Sequence, residues 1–470
     1  MHAEPTGHRA LRGLYSLVIR LALPVSLYYL IWRGLRQREY FDRWSERFAL
    51  YRVPGLDGCV WVHAVSVGEV NVAAPLVAAL RARDPGLPVL VTTTTPTGSA
   101  RVRALWGDQV RHVYLPYDLP GAVRNFLDHF RPRVAVVIET EIWPNLFAEA
   151  QARGIPLLIA NARLSERSLR GYRPIAALVE AALGKVSAVA AQSEADAARY
   201  RRLGADPARV QVTGNIKYDL PVPAGLVEQA SAWRRTWGKR PVWIAASTHP
   251  GEEEAMREAH RAVLARHPDA LLLWAPRHPE RFAAVAADAE QGGLRVATRR
   301  RDGLPRHDTE VFVVDTLGEL MAFFAAADVA FVGGSLQDVG GHNVLEPAAL
   351  GVPALVGPHT FNVQESTDLL IEAGAVQRIA DAATLAAAVD RAFRDPAAAQ
   401  ARGAAGRVRI AGERGALART MALLEPLLRG RGSSCDPREL NAARRSRRSA
   451  RSRRRRPPAS GSRRPGRWPR

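Results

Sequence analysis

The pattern of apolar and polar residues predicts strands that alternate with helices from about residue 60 onward. Short apolar runs bounded by Gly, Pro or polar residues are typical of buried parallel strands. The longer amphipathic stretches between them, such as 70–81 and 122–129, are typical of helices. The predicted strands form a first series at 60–65, 89–93, 134–138, 157–160 and 186–191, and a second series at 242–246, 271–274, 311–314, 329–332 and 354–356.

The interval between the two series indicates a domain boundary. Residues 219–240 have Pro and Gly near their start and contain no predicted strand. Alternating strands and helices favour right-handed βαβ units, and 470 residues are too many for one ordinary core. We therefore predict an α/β protein with two Rossmann-like, doubly wound domains that face a cleft. The predicted segments are an N-terminal segment 1–45, a first domain 46–222, a second domain 223–428 and a tail 429–470.

An apolar segment near the N-terminus predicts a membrane anchor. Residues 11–32 read LRGLYSLVIRLALPVSLYYLIW, and a helix of this length extends about 33 Å, enough to cross a bilayer core. Arg20 and Pro24 disfavour a simple span, so the segment fits either a spanning helix or an embedded interfacial helix. A buried N-terminal helix is the alternative. Five arginines flank the segment, as expected beside anionic headgroups: Arg9, Arg12, Arg33, Arg36 and Arg38.

The net charge of +20 is concentrated at the C-terminus. Residues 429–470 contain 16 Arg against Asp436 and Glu439, a net charge of +14, so the rest of the chain carries only +6. The tail is also rich in Ser, Pro and Gly, which predicts disorder. It could bind anionic lipid or nucleic acid, or have no role. The two cysteines, Cys59 and Cys435, lie far apart, which disfavours a disulfide framework and fits a reducing compartment.

Acidic residues follow two strands of the first series. Glu69 comes in the first turn of a predicted helix, where a carboxylate can act as general base on an acceptor hydroxyl. The spacing of Ser66 and Glu69 equally fits a capping box, which stabilises a helix start without catalysis. Glu139 and Glu141 follow another strand and alternate to the same side of an extended chain. They fit either a functional site or pairing with nearby arginines.

Three further segments could bind an anion. Lys217, within GNIKYD, could neutralise a phosphate or carboxylate, and a solvated loop lysine is the alternative. The sequence STHPGEEE at 247–254 has small hydroxylic residues and Gly before a helix, which can hold a phosphate or act as ordinary caps. Arg277 and His278 follow the next strand and fit either an anion site or a solvated turn.

The most specific local pattern is GGS at 333–335 followed by GGHNVLEP at 340–347. Glycines at the end of a strand let the backbone approach a phosphate closely, and a helix that starts near Asn343 would direct its N-terminus at the same place. Glu346 would lie in the first turn of that helix, where it can accept hydrogen bonds from ribose hydroxyls. A glycine loop alone is a weak signal, but these features together predict a nucleotide-sugar site.

Eleven short motifs carry a resemblance to a known enzyme family. In chain order they are SVGE, TTTTPTGS, YLPYD, ETEIWPN, NARLS, TGNIKYD, STHPGEEE, PRHPERF, GGSL, GGHNVLEP and GPHTFN. The set resembles the 3-deoxy-D-manno-octulosonic acid (Kdo) transferases of lipopolysaccharide synthesis, over roughly residues 10–428. The resemblance implies a GT-B fold, CMP-β-Kdo as donor and a lipid A precursor, lipid IVA, as acceptor. It also implies attachment to the cytoplasmic face of the inner membrane of a Gram-negative bacterium.

The same resemblance implies roles for individual residues. Glu69 is implied as the catalytic base of an inverting transfer, and Glu139 and Lys217 as groups that stabilise the transition state. No metal and no cofactor are implied at the transfer centre. Val344 departs mildly from the family, whose members often carry Pro at that position. Contacts with CMP-Kdo are implied for Pro276, Arg277, Gly318, Glu319, Leu320, Asn343, Val344, Leu345 and Glu346.

Two other classes of function remain as alternatives. A nucleotide-sugar 2-epimerase on the same fold would leave the apolar N-terminal segment unexplained. A basic membrane or nucleic-acid adaptor built on an inactive transferase fold is disfavoured because Glu69 and Glu346 are both present. A polynucleotide binder would carry basic and aromatic residues interleaved through its folded body. The positive charge of this chain is instead concentrated in the tail, so we expect no specific nucleic-acid partner. The motifs fit the addition of one, two or more Kdo units.

Overall fold

A computed structural model describes residues 6–430 of the chain. Apart from its first two residues, the tail predicted to be disordered lies outside the described residues, and so does Cys435. The described residues divide into two units. The first unit comprises 6–190, 195–211 and 419–430, and the second comprises 191–194 and 212–418. The segment boundaries given by the sequence pattern stay predictions.

The first helix, α1 (Thr6–Arg36), contains Pro24 and has the length and composition to cross a membrane. One side of α1 packs on the first unit, where Ser16 and Leu30 are buried. Only 11% of its most apolar window is buried, so the alternative of a buried N-terminal helix is wrong. The other side is apolar and exposed, and comprises Leu11, Leu14, Leu17, Val18, Leu21, Val25, Tyr28, Tyr29, Ile31, Trp32 and Leu35.

Seven strands form the parallel sheet of the first unit. They are β1 (Val60–His63), β2 (Val89–Thr93), β3 (Arg111–Tyr114), β4 (Val134–Ile138), β5 (Leu157–Ala162), β6 (Ala188–Ala191) and β7 (Val210–Val212). Their spatial order is β3-β2-β1-β4-β5-β6-β7, so the order reverses between β1 and β4. Such a reversal is the position at which doubly wound sheets bind their ligands.

Helices connect these strands, and their sequences explain where several of them begin. Proline occupies the first turn of three of them, where its missing N–H is tolerated because that group has no helical partner. The helices are α2 (Val67–Arg83), α3 (Pro96–Trp106), α4 (Pro120–Phe130), α5 (Pro144–Ala152), α6 (Glu166–Tyr172), α7 (Ala176–Leu183) and α8 (Glu194–Arg202). Two short 3₁₀ helices, Arg38–Tyr40 and Trp44–Phe48, follow α1.

The second unit contains another parallel sheet of seven strands. After α9 (Leu226–Trp237), these are β8 (Val242–Thr248), β9 (Leu271–Pro276), β10 (Val296–Thr298), β11 (Val311–Val313), β12 (Val329–Val332), β13 (Ala354–Val356) and β14 (Val376–Arg378). The spatial order is β10-β11-β9-β8-β12-β13-β14, so this sheet reverses between β8 and β12. The two units therefore repeat one architecture.

The helices of the second unit are mostly short near its candidate binding residues and longer at its C-terminus. They are α10 (Glu253–Leu264), α11 (Phe282–Gln291), α12 (Arg299–Asp302), α13 (Leu320–Ala325), α14 (Leu345–Leu350), α15 (Gln364–Glu372), α16 (Ala382–Arg394) and α17 (Pro396–Glu413). The last described helix, α18 (Ala416–Arg429), begins in the second unit and continues into the first.

The predicted fold class is confirmed, and all ten predicted strands are present with shifts at some of their ends. The prediction missed four strands, β3, β7, β10 and β14, and these are the two edge strands of each sheet. Interior strands are covered on both faces and read as continuous apolar runs. Edge strands are short and carry polar residues, as in RHVY and VQR, so their pattern resembles that of a loop.

Candidate active site

The first group of candidate residues lies where β1 and β4 run side by side. His63 pairs with Val137 in this parallel ladder, near the carboxyl end of each strand. The loops that follow the two strands therefore leave the sheet at the same edge. One loop leads to Glu69 and the other begins with Glu139. The strand order thus brings together two predicted residues that are distant in sequence, at the point where ligands bind in this fold.

Glu69 lies in the first turn of α2, as predicted, and its carboxylate turns back toward the preceding loop. Oε2 accepts the backbone N–H of Val65 at 2.6 Å, and the hydroxyl of Ser66 lies 3.4 Å from Oε1. Ser66 is the N-cap residue, but its side chain accepts no backbone N–H of the helix. The reciprocal pair of a capping box is therefore absent at this helix start. The two contacts hold the carboxylate close to the end of β1.

Glu139 has a left-handed backbone conformation, with φ of 62°. This region is unfavourable for a residue with a side chain, and occupying it costs on the order of 1 kcal/mol or more. Neighbouring groups hold the conformation, since the Glu139 N–H donates to the carbonyl of Ala160 at 3.0 Å and Tyr200 donates its hydroxyl to the Glu139 carbonyl at 3.3 Å. A strained residue that its surroundings keep in place is typical of a functional site.

Two acidic residues of this cluster, Glu69 and Glu141, have raised pKa values. Burial raises the pKa of Glu69 to about 8, the nearby Glu141 and Glu139 add to the rise, and the bond from Val65 opposes it. Burial also raises the pKa of Glu141 to about 7, and Glu139 adds to that rise. Within residues 6–430, Glu141 forms no ion pair with an arginine, so that alternative is wrong for this residue. A carboxyl group that titrates near neutral pH can accept a proton during a reaction.

A buried aspartate connects this cluster to α1. Asp118 accepts the N–H of Asn145 at 3.0 Å and the N–H of the next residue at 2.8 Å, both at the start of α5. Tyr15 of α1 donates its hydroxyl to Asp118 at 3.0 Å, and the hydroxyl of Ser16 lies 3.1 Å from the side-chain oxygen of Asn145. Burial raises the pKa of Asp118 to about 7. Since Asn145 ends the ETEIWPN segment, α1 is bonded directly to the segment that carries Glu139.

In the second unit, the loops after β8 and β12 are held together by one buried carboxylate, Glu252. One of its oxygens accepts the N–H groups of His249 at 3.0 Å and Gly334 at 2.8 Å. The other accepts the N–H groups of Ser335 at 3.0 Å and of the following residue at 2.9 Å. A Cβ on Gly333 would lie 2.7 Å from the backbone carbonyl oxygen of Ser247 and 2.8 Å from this carboxylate, so glycine is required there. These contacts fix the shape of the glycine loop that the sequence predicted.

Two imidazoles and an arginine lie beside this loop. Nε2 of His249 is 2.9 Å from Nε2 of His342, and the two rings are nearly parallel. Burial lowers the pKa of His342 to about 4, with Arg277 and His249 adding to the effect. Arg277 is exposed and follows the buried Pro276, and its N–H donates to the carbonyl of Thr248 at 3.0 Å. Neutral imidazoles beside a guanidinium suit an anionic ligand.

Asn343 and Glu346 are hydrogen-bonded to each other. The Asn343 side-chain amide donates to Glu346 Oε1 at 3.1 Å and accepts the N–H of Leu345 at 3.0 Å. The helix α14 has only six residues and begins at Leu345, near Asn343 as predicted. Glu346 is in its first turn, as predicted, and burial raises its pKa. The side chains of Val344 and Leu345 are buried, so their contacts with a ligand can involve only the backbone.

The predicted donor-binding turn Gly318-Glu319-Leu320 lies immediately before and at the start of α13. Gly318 has a φ of 90°, a conformation that favours glycine. The Glu319 carboxylate pairs with Arg299 at 2.6 Å and accepts the hydroxyl of Thr316 at 2.5 Å, and Arg299 lowers its pKa. Because these partners engage the Glu319 side chain, the backbone of this turn is the part best suited to contact a donor.

Lys217 is in the second unit, within the short 3₁₀ helix Ile216–Tyr218, and it is exposed. The side-chain oxygen of Asn215 accepts the Lys217 N–H at 3.0 Å and so caps this turn. Asp219, at its other end, accepts the N–H of Gly415 at 2.6 Å. The backbone around the lysine is therefore tied at both ends.

Three residues that support the site were not predicted from the sequence: Glu252, Asp118 and Asn145. Glu252 had a local signal, because its spacing from His249 is that of a capping box and both bonds of that box are present. Asp118 and Asn145 had none, because their partners come from α1, from the first turn of α5 and from the loop before α4. Only the packing of these elements reveals them.

Comparisons with known proteins agree with these features. A family model described as 3-deoxy-D-manno-octulosonic-acid transferase (kdotransferase) matches residues 42–220. A 3-deoxy-D-manno-octulosonic acid transferase from Haemophilus influenzae is 40% identical over 422 residues, which cover 89% of this chain and 99% of that protein. A protein of the same name from Bordetella pertussis is 41% identical over 433 residues, with the same coverage.

Among solved structures, UDP-GlcNAc 2-epimerase from Neisseria meningitidis bound to UDP-GlcNAc matches with a TM-score of 0.51 and 14% identity, over 78% of this chain and 100% of that one. At this identity the likeness shows the fold alone and does not favour an epimerase. The two transferases, in contrast, are similar to this chain along nearly their whole length. The chain belongs to the 3-deoxy-D-manno-octulosonic acid (Kdo) transferase family of glycosyltransferases.

Proposed function

We propose that this chain transfers Kdo from CMP-β-Kdo to a hydroxyl of lipid IVA, an acylated and phosphorylated lipid A precursor, in lipopolysaccharide synthesis. The observation that carries the proposal is the carboxylate cluster at the ends of β1 and β4. There the pKa of Glu69 is raised to about 8, close to the range in which a general base works best. Membership of the Kdo transferase family supports the identity of the sugar.

In the proposed reaction, the oxygen of the acceptor hydroxyl attacks the anomeric carbon of Kdo while Glu69 removes the proton of that hydroxyl. The bond from that carbon to the phosphate oxygen of CMP breaks at the same time, and attack from the opposite face inverts the anomeric configuration. The sugar gains oxocarbenium character in this transition state, which the carboxylate of Glu139 stabilises. The departing phosphate gains negative charge, which Lys217 and Arg277 neutralise. The proposal needs no metal ion.

The second unit supplies the proposed binding site for the donor. Glu346 accepts hydrogen bonds from the ribose hydroxyls, and its bond with Asn343 keeps it in position. Backbone groups of Val344 and Leu345 approach the nucleotide, because their side chains are buried. Pro276 and the turn formed by Gly318, Glu319 and Leu320 complete the proposed contacts with CMP.

For its location, we propose that α1 lies in the cytoplasmic face of the inner membrane as an interfacial helix. Its apolar exposed side would enter the lipid, while Tyr15 and Ser16 on the other side stay bonded to the first unit. A helix that packs along a folded unit cannot also cross the bilayer without drawing that unit into it. Flotation with vesicles tests this: the double variant Leu21→Glu/Val25→Glu should stay in solution. Val408→Glu, which changes an exposed apolar residue of α17, is the matched control.

The transfer reaction is tested with purified full-length protein, lipid IVA and CMP-Kdo generated in situ, with products measured by mass spectrometry. Wild type should add one or more Kdo increments, and the mass also counts the sugars. Glu69→Gln should add none in the time that wild type needs to convert the acceptor. Glu254→Gln, which changes an exposed acid in the first turn of α10, is the matched control and should match wild type. A folded wild-type protein that adds no Kdo would contradict the proposed reaction.

A further inference from the structure

A cavity of about 280 Å³ lies in the first unit between α1 and the loop after β2. Two arginines contribute to its wall together with tyrosines and threonines, and none of the described residues that line it is acidic. The polar residues that matter for its chemistry are Arg33, Arg47, Tyr40, Tyr117, Thr94 and Thr95. A cavity with two cations and no carboxylate in its wall is suited to an anion.

Arg47 is the deepest cation of this cavity. Its exposed fraction is only 6%, and its guanidinium lies 4.5 Å from the centre of the Tyr114 ring. The guanidinium has five N–H groups, and one on Nη2 donates to the Thr94 carbonyl at 2.8 Å. Its Nε is buried and has no hydrogen-bond partner within residues 6–430. A buried guanidinium with an unsatisfied donor costs free energy unless a ligand supplies an acceptor.

Arg33 contributes the second cation from α1. Its Nη1 donates to the hydroxyl of Tyr40 at 2.6 Å, and its guanidinium lies over the rings of Tyr29 and Tyr40. Neither Arg33 nor Arg47 forms an ion pair with a carboxylate in the described part of the chain. Glu46 interacts electrostatically with Arg47, but its carboxylate accepts the N–H of Tyr114 at 2.8 Å and lies 3.6 Å from Arg43.

A short chain of hydrogen bonds joins this cavity to the proposed base. The carbonyl of Thr94 accepts from Arg47, and the N–H of Thr94 donates to the carbonyl of Val65 at 3.1 Å. The N–H of Val65 in turn donates to Glu69 at 2.6 Å. Two residues, Thr94 and Val65, therefore connect Arg47 to the carboxylate of Glu69, which is the proposed acceptor of the proton.

We infer that this cavity binds a phosphate group of the acceptor lipid and so orients the attacking hydroxyl toward Glu69. This inference rests on the proposed function, and it adds a recognition site for one chemical group of the acceptor. Guanidinium groups form bidentate, charge-assisted bonds with phosphate oxygens. The position of the cavity also fits a phosphate of the acceptor lipid. Part of its wall is formed by α1, which is the proposed contact with the membrane that contains this lipid.

The test compares two acceptors, lipid IVA and the same tetraacylated disaccharide after its phosphates are removed. Wild type should show kcat/KM about 10- to 100-fold lower with the dephosphorylated acceptor, as expected for the loss of charge-assisted bonds. Arg33→Gln should lose a similar factor with lipid IVA, mainly in KM, and little with the dephosphorylated acceptor. Arg33→Lys should restore part of the loss. Arg36→Gln, an exposed arginine of α1 outside the cavity, is the matched control.

Arg47→Lys keeps the charge but loses the bidentate geometry of the guanidinium, so it should slow transfer to lipid IVA more than transfer to the dephosphorylated acceptor. Lysine is chosen because removing this side chain entirely would also release the Thr94 carbonyl. Equal kcat/KM for both acceptors in wild type would overturn the phosphate site while leaving the proposed transfer intact. Equal slowing of both acceptors by Arg33→Gln would also overturn it, since that is the result of a merely structural role. Transfer to neither acceptor would instead contradict the proposed function itself.

A vesicle experiment separates the acceptor from membrane phospholipid as the source of the phosphate. Flotation with phosphatidylglycerol vesicles should be equal for Arg33→Gln and Arg36→Gln. A selective loss of vesicle binding by Arg33→Gln, with unchanged discrimination between the two acceptors, would assign the cavity to a membrane headgroup and overturn the inference.

Discussion

The substitution Glu69→Gln tests two consequences of one raised pKa. Burial and the neighbouring acids raise the pKa of Glu69 to about 8, so only about 1% of this group is ionised at pH 6. If Glu69 is the base, kcat/KM of wild type rises about tenfold per pH unit below pH 8 and levels off above it. Glutamine can still accept the N–H of Val65 through its amide oxygen, but it cannot take a proton. We expect kcat/KM at pH 8.5 to fall about 10²- to 10⁴-fold.

The same raised pKa predicts that the variant is the more stable protein at high pH. An increase from 4.5 to about 8 corresponds to a penalty of up to about 5 kcal/mol for ionising Glu69 in the folded chain. Solvent screens this partly exposed carboxyl, so we expect about 1 to 3 kcal/mol. Because the folded pKa is raised, the stability contributed by the protonated group is complete below pH 4.5 and is lost as the pH rises through about 8. Glutamine has no such loss, so Tm of Glu69→Gln should exceed that of wild type at pH 9.

The assay measures kcat/KM for Kdo transfer and the midpoint of thermal unfolding from pH 5 to pH 9.5, for wild type, Glu69→Gln and the control Glu254→Gln. The unfolding midpoints of wild type and Glu69→Gln should converge near pH 5. A wild-type rate that does not change between pH 6 and pH 8, with no stabilisation of Glu69→Gln at pH 9, would refute the assignment of a high-pKa base to Glu69. A variant that is inactive and also less stable at every pH would instead indicate a structural role.

Three further substitutions test residues that position the site. Glu252→Gln turns an amide NH₂ toward backbone N–H donors, so we expect CMP to bind at least about tenfold more weakly in calorimetric titration and Tm to fall; unchanged affinity would contradict a role in shaping the loop. Tyr15→Phe removes the hydrogen bond to Asp118 and should lower the free energy of unfolding by about 1 to 2 kcal/mol, measured against the exposed control Tyr28→Phe; equal effects would contradict it. Because Glu346 is proposed to accept hydrogen bonds from the ribose hydroxyls, Glu346→Gln should weaken CMP binding about tenfold. Binding of inorganic phosphate, which has no ribose, should be unchanged.

Much of the fold follows from the sequence because the interior strands are buried on both faces. A strand such as Val134–Ile138 has apolar neighbours above and below it, so it must be apolar at every position, and that pattern is visible without a structure. The edge strands Arg111–Tyr114 and Val376–Arg378 have a solvated side, and a few polar residues hide them. The prediction therefore failed where burial is incomplete.

The candidate site was predictable to the extent that its residues follow strands. Glu139 was a candidate because it stands directly after an apolar run, Glu69 because it lies in the first turn of the helix that follows one, and Asn343 and Glu346 because glycines precede them. Whether two such loops meet depends on the order of strands in the sheet, which no local pattern encodes.

The sequence by itself determined the two βαβ series, the apolar N-terminal helix and the family to which the chain belongs. Only the tertiary structure decided that β1 lies beside β4, that Glu252 holds two loops together and that α1 is bonded to Asp118 and Asn145. It also decided the raised pKa of Glu69, which depends on burial and on carboxylates from a different loop. A local residue pattern indicates the secondary structure that a segment favours. The burial and the charge around a site depend on segments that are distant in the chain and adjacent in space.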